Sequence, residues 1–217
     1  MSKKLFLFPF GGSAREALVA ILSSDELKKQ WDVVGFIDDD SQKKGQDCCG
    51  VKVLGGKEVF EQFEDEMVLA LPAHPKDYLK RKDIIAGLSL NVARFATIIH
   101  PSSVVSRDAR IGYNAFVAPH CFISSKAVIG NHCIILSNTV ISHDAEIGEY
   151  CCLGANVVLS GTVKIETESY IGSRVSIKEG VTVGAQSLVG IGANVVSSLE
   201  PGVVAVGNPA KVLRKNK

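Results

Sequence analysis

From Ile99 onward the aliphatic residues of this chain recur at every sixth position without a break. The series runs through Val105, Ile111, Val117, Ile123, Ile129, Ile135, Ile141, Ile147, Leu153, Leu159, Ile165, Ile171, Ile177, Val183, Val189 and Val195. Two places before each, from Ser103 on, stands a small or β-branched residue, among them Ala109, Cys121, Thr139, Val157 and Ala193. A period of six fits neither a helix of 3.6 residues per turn nor an alternating strand. It is what a three-sided prism with one short strand per side requires, the aliphatic residue filling the axis and the small one fitting beside it.

Three such hexapeptides make one coil, so residues 99–195 predict about five coils of a left-handed parallel β-helix. Glycine follows the aliphatic residue at Gly112, Gly130, Gly148, Gly154, Gly172, Gly184 and Gly190. The expectation is that these glycines supply the backbone angles a corner needs.

Before residue 98 the pattern changes to alternating strands and helices. It predicts a strand over 5–9, a tight turn at Gly11-Gly12-Ser13, a helix over 14–23 and a strand over 32–37 ending at Asp38-Asp39-Asp40. A helix over 57–63, a strand over 67–71, a helix over 77–88 and a strand over 91–95 follow. Such alternation indicates a Rossmann-like α/β domain, residues 1–97, ahead of a β-helix domain, residues 98–217. Ligands of such sheets bind at the carboxyl ends of the strands, here the Gly11-Gly12 turn and the Asp38-Asp39 tip. Free N–H groups at a helix start suit a phosphate. Alone, a Gly-Gly turn is more often plain turn geometry, and the aspartate run equally reads as a solvated loop.

Composition narrows the class further. The 217 residues are 46% hydrophobic, and 24 Lys and Arg balance 23 Asp and Glu with no long run of either sign, which argues against a nucleic-acid partner. The first apolar stretch, 5–10, is too short to serve as a signal segment or to span a bilayer, so a cytoplasmic protein is expected. Six cysteines show no CxxC spacing, and Cys121, Cys133 and Cys151 occupy the small inward position of the repeat, where a thiol packs as a small apolar group.

The segments FGGSARE (10–16), GFIDDD (35–40), IIHPSSVVS (98–106), ISHDAEIGEY (141–150) and GNPAKVLRK (207–215) together resemble the NeuD/PglD-type sugar acyltransferases over essentially the whole chain. The resemblance implies a nucleotide-sugar site on the N-terminal domain at Gly11, Gly12, Ser13, Asp38 and Asp39. It also implies a homotrimer with acetyl-CoA bound between subunits. Catalysis then falls to His143 as general base with Asp144 beside it, and to the Gly161 amide as the donor that steadies the thioester oxygen. Gly161, Gly190, Gly192, Ala193, Gly207, Pro209, Ala210 and Lys211 match the coenzyme-binding positions. The chain departs from many members at Ser13, Leu136 and Cys152, and these departures cluster around the acceptor site.

Among the five histidines, His100 reads as structural, and His120 and His132 stand three places after an aliphatic rather than two. No His-x4-His pair suggests a metal site. Gly161 lies 18 residues after His143, one whole coil, so a base on one rung and an N–H donor on the next flank a single thioester. Imidazole exchanges protons near neutral pH, and a fixed N–H holds an oxyanion. N-acetylation of a nucleotide-linked amino sugar for surface glycan synthesis is the leading expectation. O-acetylation of a sialic-acid-like sugar and a non-catalytic scaffold stand behind it.

Overall fold

The computed structural model describes residues 2–63 and 65–216. The chain opens with β1 (Lys3–Phe8), α1 (Gly12–Leu22), α2 (Asp25–Gln30) and β2 (Trp31–Ile37), continues through a hairpin of β3 (Asp47–Cys48) and β4 (Val51–Gly55), and adds β5 (Met67–Ala70) and α3 (Arg81–Ala86). These strands form one sheet in the order β3-β4-β2-β1-β5, parallel throughout except for β3. Alternation along β1 decides the layers. Leu5 and Leu7 pack with Ala14, Leu18 and Ile21 of α1, while Phe6 and Phe8 pack with Phe60, Ile85 and Leu88 on the other side.

Three details differ from the sequence pattern. The segments expected as helices over 57–63 and 77–88 contain a 3-10 turn at Lys57–Gln62 and another at Tyr78–Lys80 ahead of the short α3. The strand expected over 91–95 is a 3-10 turn, Val92–Arg94, joined to the sheet only by a bridge from Phe95 to Val68. Its conformation is set by Asn91 Oδ1 accepting from the Ala93 N–H, and by Arg94, which donates to the carbonyls of Phe63 and Glu66. Finally, α2 was not expected, although Ser24 caps it, acidic residues fill its first turn and lysines its last.

From β6 (Ile98–Ile99) to β22 (Asn194–Val195) the chain is a ladder of two-residue strands, each paired in parallel with the strand 18 residues on. The strands stack into three faces, which begin at Ile98, Val104 and Arg110. β23 (Val203–Val206) and the antiparallel β24 (Lys211–Lys215) extend the Ile98 face. The axis is as the six-residue period requires: Val117 to Val195 at the aliphatic position and Ala115 to Ala193 at the small position are all buried, including Cys121, Cys133 and Cys151. Burial pushes the neighbouring Cys152 thiol up to about 11, so it packs rather than reacts.

The glycines after each aliphatic residue have another role than the one expected. The left-handed corner residues are three places after the aliphatic, for example Asn114, His120, His132, Asp144 and Asn156, all with φ near +50 to +62°. The glycines at the next position are needed for close approach between coils: a Cβ on Gly130 would meet the Glu149 backbone N at 2.7 Å, and one on Gly154 the Ser173 N at 2.5 Å.

The two parts of the chain share a core. Phe116, Ala118, Ile134 and Cys152 on the outer surface of the Ile98 face pack with α1 and the sheet. A buried polar seam adds to this. The Asn114 side chain accepts from the Ala70 N–H at 2.8 Å and donates to the Ala70 carbonyl at 3.0 Å, and its amide reaches His132 Nδ1 at 2.8 Å. No helix among the described residues is long and apolar enough to cross a membrane.

Candidate active site

The corner between the Val104 and Arg110 faces carries His143. Its imidazole is exposed, and Nδ1 lies 2.9 Å from Asp144 Oδ2. The pairing of sequence neighbours is possible because Asp144 is the left-handed corner residue, φ +56°, which turns its side chain back beside the preceding one. With Nδ1 donating to the carboxylate, Nε2 is presented outward as an acceptor. Glu146 is not part of this pair; it faces along the Arg110 face to Lys164 Nζ at 3.2 Å.

One coil on, Gly161 lies directly under the ring. A Cβ built there would stand 2.6 Å from Cε1 and 2.7 Å from Nε2 of His143. The Gly161 N–H makes no hydrogen bond among the described residues, while its carbonyl accepts from the Gly180 N–H and the Thr162 hydroxyl. The arrangement therefore sets a proton acceptor and an unused backbone donor on adjacent rungs at one corner.

Apart from Gly161, the positions matched to the coenzyme gather at the last corner between the Ile98 and Val104 faces. Gly192 and Gly207 take left-handed φ of +69° and +98°, and the tail is laid along β22 by hydrogen bonds from Asn194 N to Gly207 O and from Ala210 N to Asn194 O. Pro209 lies in this turn and Lys211 starts the exposed strand β24. Gly190 meets Val206, whose Cγ1 leaves no room for a Cβ. Ala193 is fully buried in the axis, so its side chain shapes this turn from within and does not face a ligand.

On the N-terminal part, Gly11, Gly12 and Ser13 line a cavity of about 410 Å³ together with Lys43, His74 and residues 71–73. Gly12 also borders a second, mainly apolar cavity of about 550 Å³ between α1 and the β-helix, lined by Arg15, Glu16, Val19, Leu136, Ser137 and Ala155 among others. Neither could be read from the sequence, since each brings together segments far apart in the chain. Neither Asp38 nor Asp39 is among the residues that line these cavities. Asp38 is buried, and its oxygens accept from the Phe10 and Asp40 N–H groups and from Lys43 Nζ at 2.8–2.9 Å. It holds the glycine turn in place. Asp39 is exposed and accepts from the Lys57 N–H at 2.9 Å.

The remaining histidines are assigned by their contacts. His100 is buried between Ser102 Oγ, 2.7 Å from Nδ1, and Ser23 Oγ at the end of α1. His132 is buried, stacked on Tyr150 at 4.5 Å between centroids and edge-on to Tyr113 and Phe95. His120 is an exposed corner residue.

Residues 94–190 match a family model described as the GMPPB C-terminal domain. Among curated protein sequences nothing matches significantly. Solved structures match over the full length. PerB from Caulobacter crescentus, crystallised with CoA and GDP-perosamine, is 25% identical, with a TM-score of 0.81 over 99% of this chain and 98% of that one. Two further structures of that N-acetyltransferase are variants of a single histidine, to asparagine or alanine, and both hold CoA and GDP-perosamine. The acetyltransferase domain of PglB from Neisseria gonorrhoeae is 25% identical, with a TM-score of 0.81 over 98% of this chain and all of that one; it has also been crystallised with acetyl coenzyme A. WeeI from Acinetobacter baumannii shares the fold at 22% identity and a TM-score of 0.80, with coverage of 98% and 100%.

Proposed function

We infer that this chain is a hexapeptide-repeat sugar acetyltransferase that moves the acetyl group of acetyl-CoA onto the amino group of a nucleotide-linked amino-dideoxy sugar. The observation that carries the reading is the His143 imidazole, oriented by Asp144, standing over the free amide of Gly161. Full-length likeness to an enzyme crystallised with CoA and GDP-perosamine supplies the substrate class.

In this mechanism the acceptor amine attacks the thioester carbonyl while His143 Nε2 takes its proton. Asp144 stabilises the resulting imidazolium, and the Gly161 N–H donates to the oxyanion. The C–S bond then breaks, the imidazolium returns the proton to the departing thiolate, and the products are an acetamide and free coenzyme. Transfer is direct, with no acyl-enzyme.

The coenzyme site at Gly190, Gly192, Gly207, Pro209, Ala210 and Lys211 lies around the other edge of the Val104 face from His143 and three coils on, roughly 14 Å along the axis at the usual strand spacing in addition to the width of the face. An extended pantetheine arm covers that span. The N-terminal cavity takes the nucleotide sugar, with Gly11, Gly12 and Ser13 against the ligand and Asp38 bracing the turn, while Asp39, outside the lining, is held by the Lys57 N–H. Within one chain this cavity is lined by the N-terminal part alone, and the adjoining 550 Å³ cavity reaches the β-helix at Pro119, Ser137 and Ala155, across the Val104 face from the corner of His143, so in this reading the acceptor meets the histidine of a neighbouring copy. The same face exposes an apolar row, Val104 at 58%, Phe122 at 46% and Val158 at 39%, which assembly as a homotrimer buries. The reading puts the enzyme in the cytoplasm, where acetyl-CoA and nucleotide-activated sugars meet.

The test is turnover. Acetyl-CoA is incubated with a panel of GDP- and UDP-linked amino sugars and with free sialic acids, following coenzyme release and the mass gain of the acceptor. Acetylation of an amino group in a nucleotide sugar is expected. Transfer only to a sialic-acid hydroxyl, or to nothing in the panel, rejects the reading.

A further inference from the structure

Arg81, at the start of α3, is 1% exposed and among the largest fully buried side chains. It makes no ion pair among the described residues, and its Nε has no hydrogen-bond partner. A guanidinium does not give up its proton, so burying one without a carboxylate is costly unless carbonyl oxygens replace the water it loses. Two do. Nη1 donates to the Pro72 carbonyl at 2.7 Å, and Nη2 to the His132 carbonyl at 2.5 Å.

Those two carbonyls belong to different parts of the molecule. Pro72 lies in the segment 71–75, every residue of which lines the 410 Å³ cavity. His132 is a corner residue of the β-helix, locked by its stack on Tyr150 and its contact with Asn114. The same Asn114 holds Ala70, the last residue before that segment. The cavity wall is thus tied to the β-helix at Ala70 through Asn114 and, two residues on, at Pro72 through Arg81. After Pro72 the wall has only local bonds, such as Lys76 N to His74 Nδ1 and Asp77 N to the His74 carbonyl.

We propose that Arg81 is a positioning residue for the acceptor: its planar fork sets the distance between the 71–75 wall of the cavity and the β-helix that carries the acetyl-transfer machinery. The inference rests on the cavity being the acceptor site. Arg81 contacts the β-helix at the corner between the Arg110 and Ile98 faces, whereas the coenzyme positions Gly190, Gly192 and Ala193 form a corner at the other edge of the Ile98 face, several coils on. Loss of the fork therefore affects one substrate and spares the other. Lysine in its place keeps the charge and can still donate to one of the two carbonyls.

Arg81→Met and Arg81→Lys test this by steady-state kinetics on the intact protein together with amide hydrogen exchange of peptides covering 70–77. In Arg81→Met the KM for the nucleotide amino sugar is expected to rise by about tenfold or more, with that for acetyl-CoA within about twofold of the parent. Exchange in 70–77 should become faster, and Arg81→Lys should recover most of both effects. A parental acceptor KM, or equal rises in both KM values, overturns the proposal. Should Arg81→Met fail to fold, the lysine variant decides: a partial, acceptor-only rise supports the proposal and parental values overturn it. A parent with no turnover on any nucleotide amino sugar rejects the acetyltransferase reading instead. Exchange alone then judges Arg81, and unchanged protection of 70–77 in the variants counts against it.

Discussion

The imidazole of His143 covers Gly161 so closely that one methyl group on that glycine would stand 2.6 Å from Cε1. Gly161 is not in the left-handed region, so alanine is compatible with its backbone, and the conflict is with the ring alone. Gly161→Ala should therefore fold and assemble normally while tilting the imidazole off the amide. Because a shift of about 1 Å in a reacting group costs up to a hundredfold, kcat is expected to fall by roughly ten- to a hundredfold. Thermal melting and kcat measured side by side check this; parental kcat would show that the contact has no part in transfer.

Phe122 and Val158 should be needed for assembly. Phe122→Arg places a charge in the apolar row of the Val104 face, and sedimentation is expected to give monomers without activity. A fully active monomer would remove the argument for a shared site.

A site completed by two copies also predicts complementation. His143→Ala and Gly12→Trp, the latter filling the acceptor cavity, should each be nearly inactive alone. Mixed by unfolding and refolding together, they should regain part of the parental activity, because some interfaces then join an intact cavity to an intact histidine. Activity no higher than the sum of the separate variants would contradict this.

How much of this was legible in the sequence depends on the range of the forces involved. The β-helix could be read because every coil repeats the same steric demand, and the 18-residue offset already placed Gly161 beside His143. The repeat did not reveal why its glycines are glycines, since a period fixes position and not whether φ or space is limiting. Helix α1 and strands β1 and β2 followed from their apolar alternation. The segment 91–95 did not, because side-chain bonds from Arg94 to Phe63 and Glu66 override its strand-like composition. The cavities stayed hidden for the same reason: Val19 and Ser137, or Gly12 and Pro72, meet only through tertiary packing. Asp38 was legible as a residue at the strand tip beside the glycine turn and not as a buried brace.

His132 gives the stability a pH dependence. Burial, with the nearby Arg81 charge, brings its pKa down to about 4. The unfolded chain, with an ordinary histidine near 6.5, binds the proton more readily, so stability rises with pH between these values. It is complete above about 6.5 and is lost as pH falls through 4, by about 3 kcal/mol in total. Urea denaturation at pH 7 and pH 5 measures it, with His132→Phe, which keeps the stacking and cannot titrate, as the reference. An equal pH dependence in both proteins would assign the effect to other groups. His132→Ala is accordingly no neutral comparison for catalysis, whereas the exposed His120 is.

The most direct test of the account is His143→Ala. Apart from Gly161, the positions matched to the coenzyme and the acceptor cavity lie away from the ring. The variant should therefore assemble and bind acetyl-CoA nearly as the parent does, while kcat falls by roughly a hundredfold or more, the range typical of a positioned base. The rising limb of the parental pH–rate profile should vanish with it, and His120→Ala should leave kcat unchanged. A folded, assembled His143→Ala with near-parental kcat would contradict the mechanism and move the base to another residue.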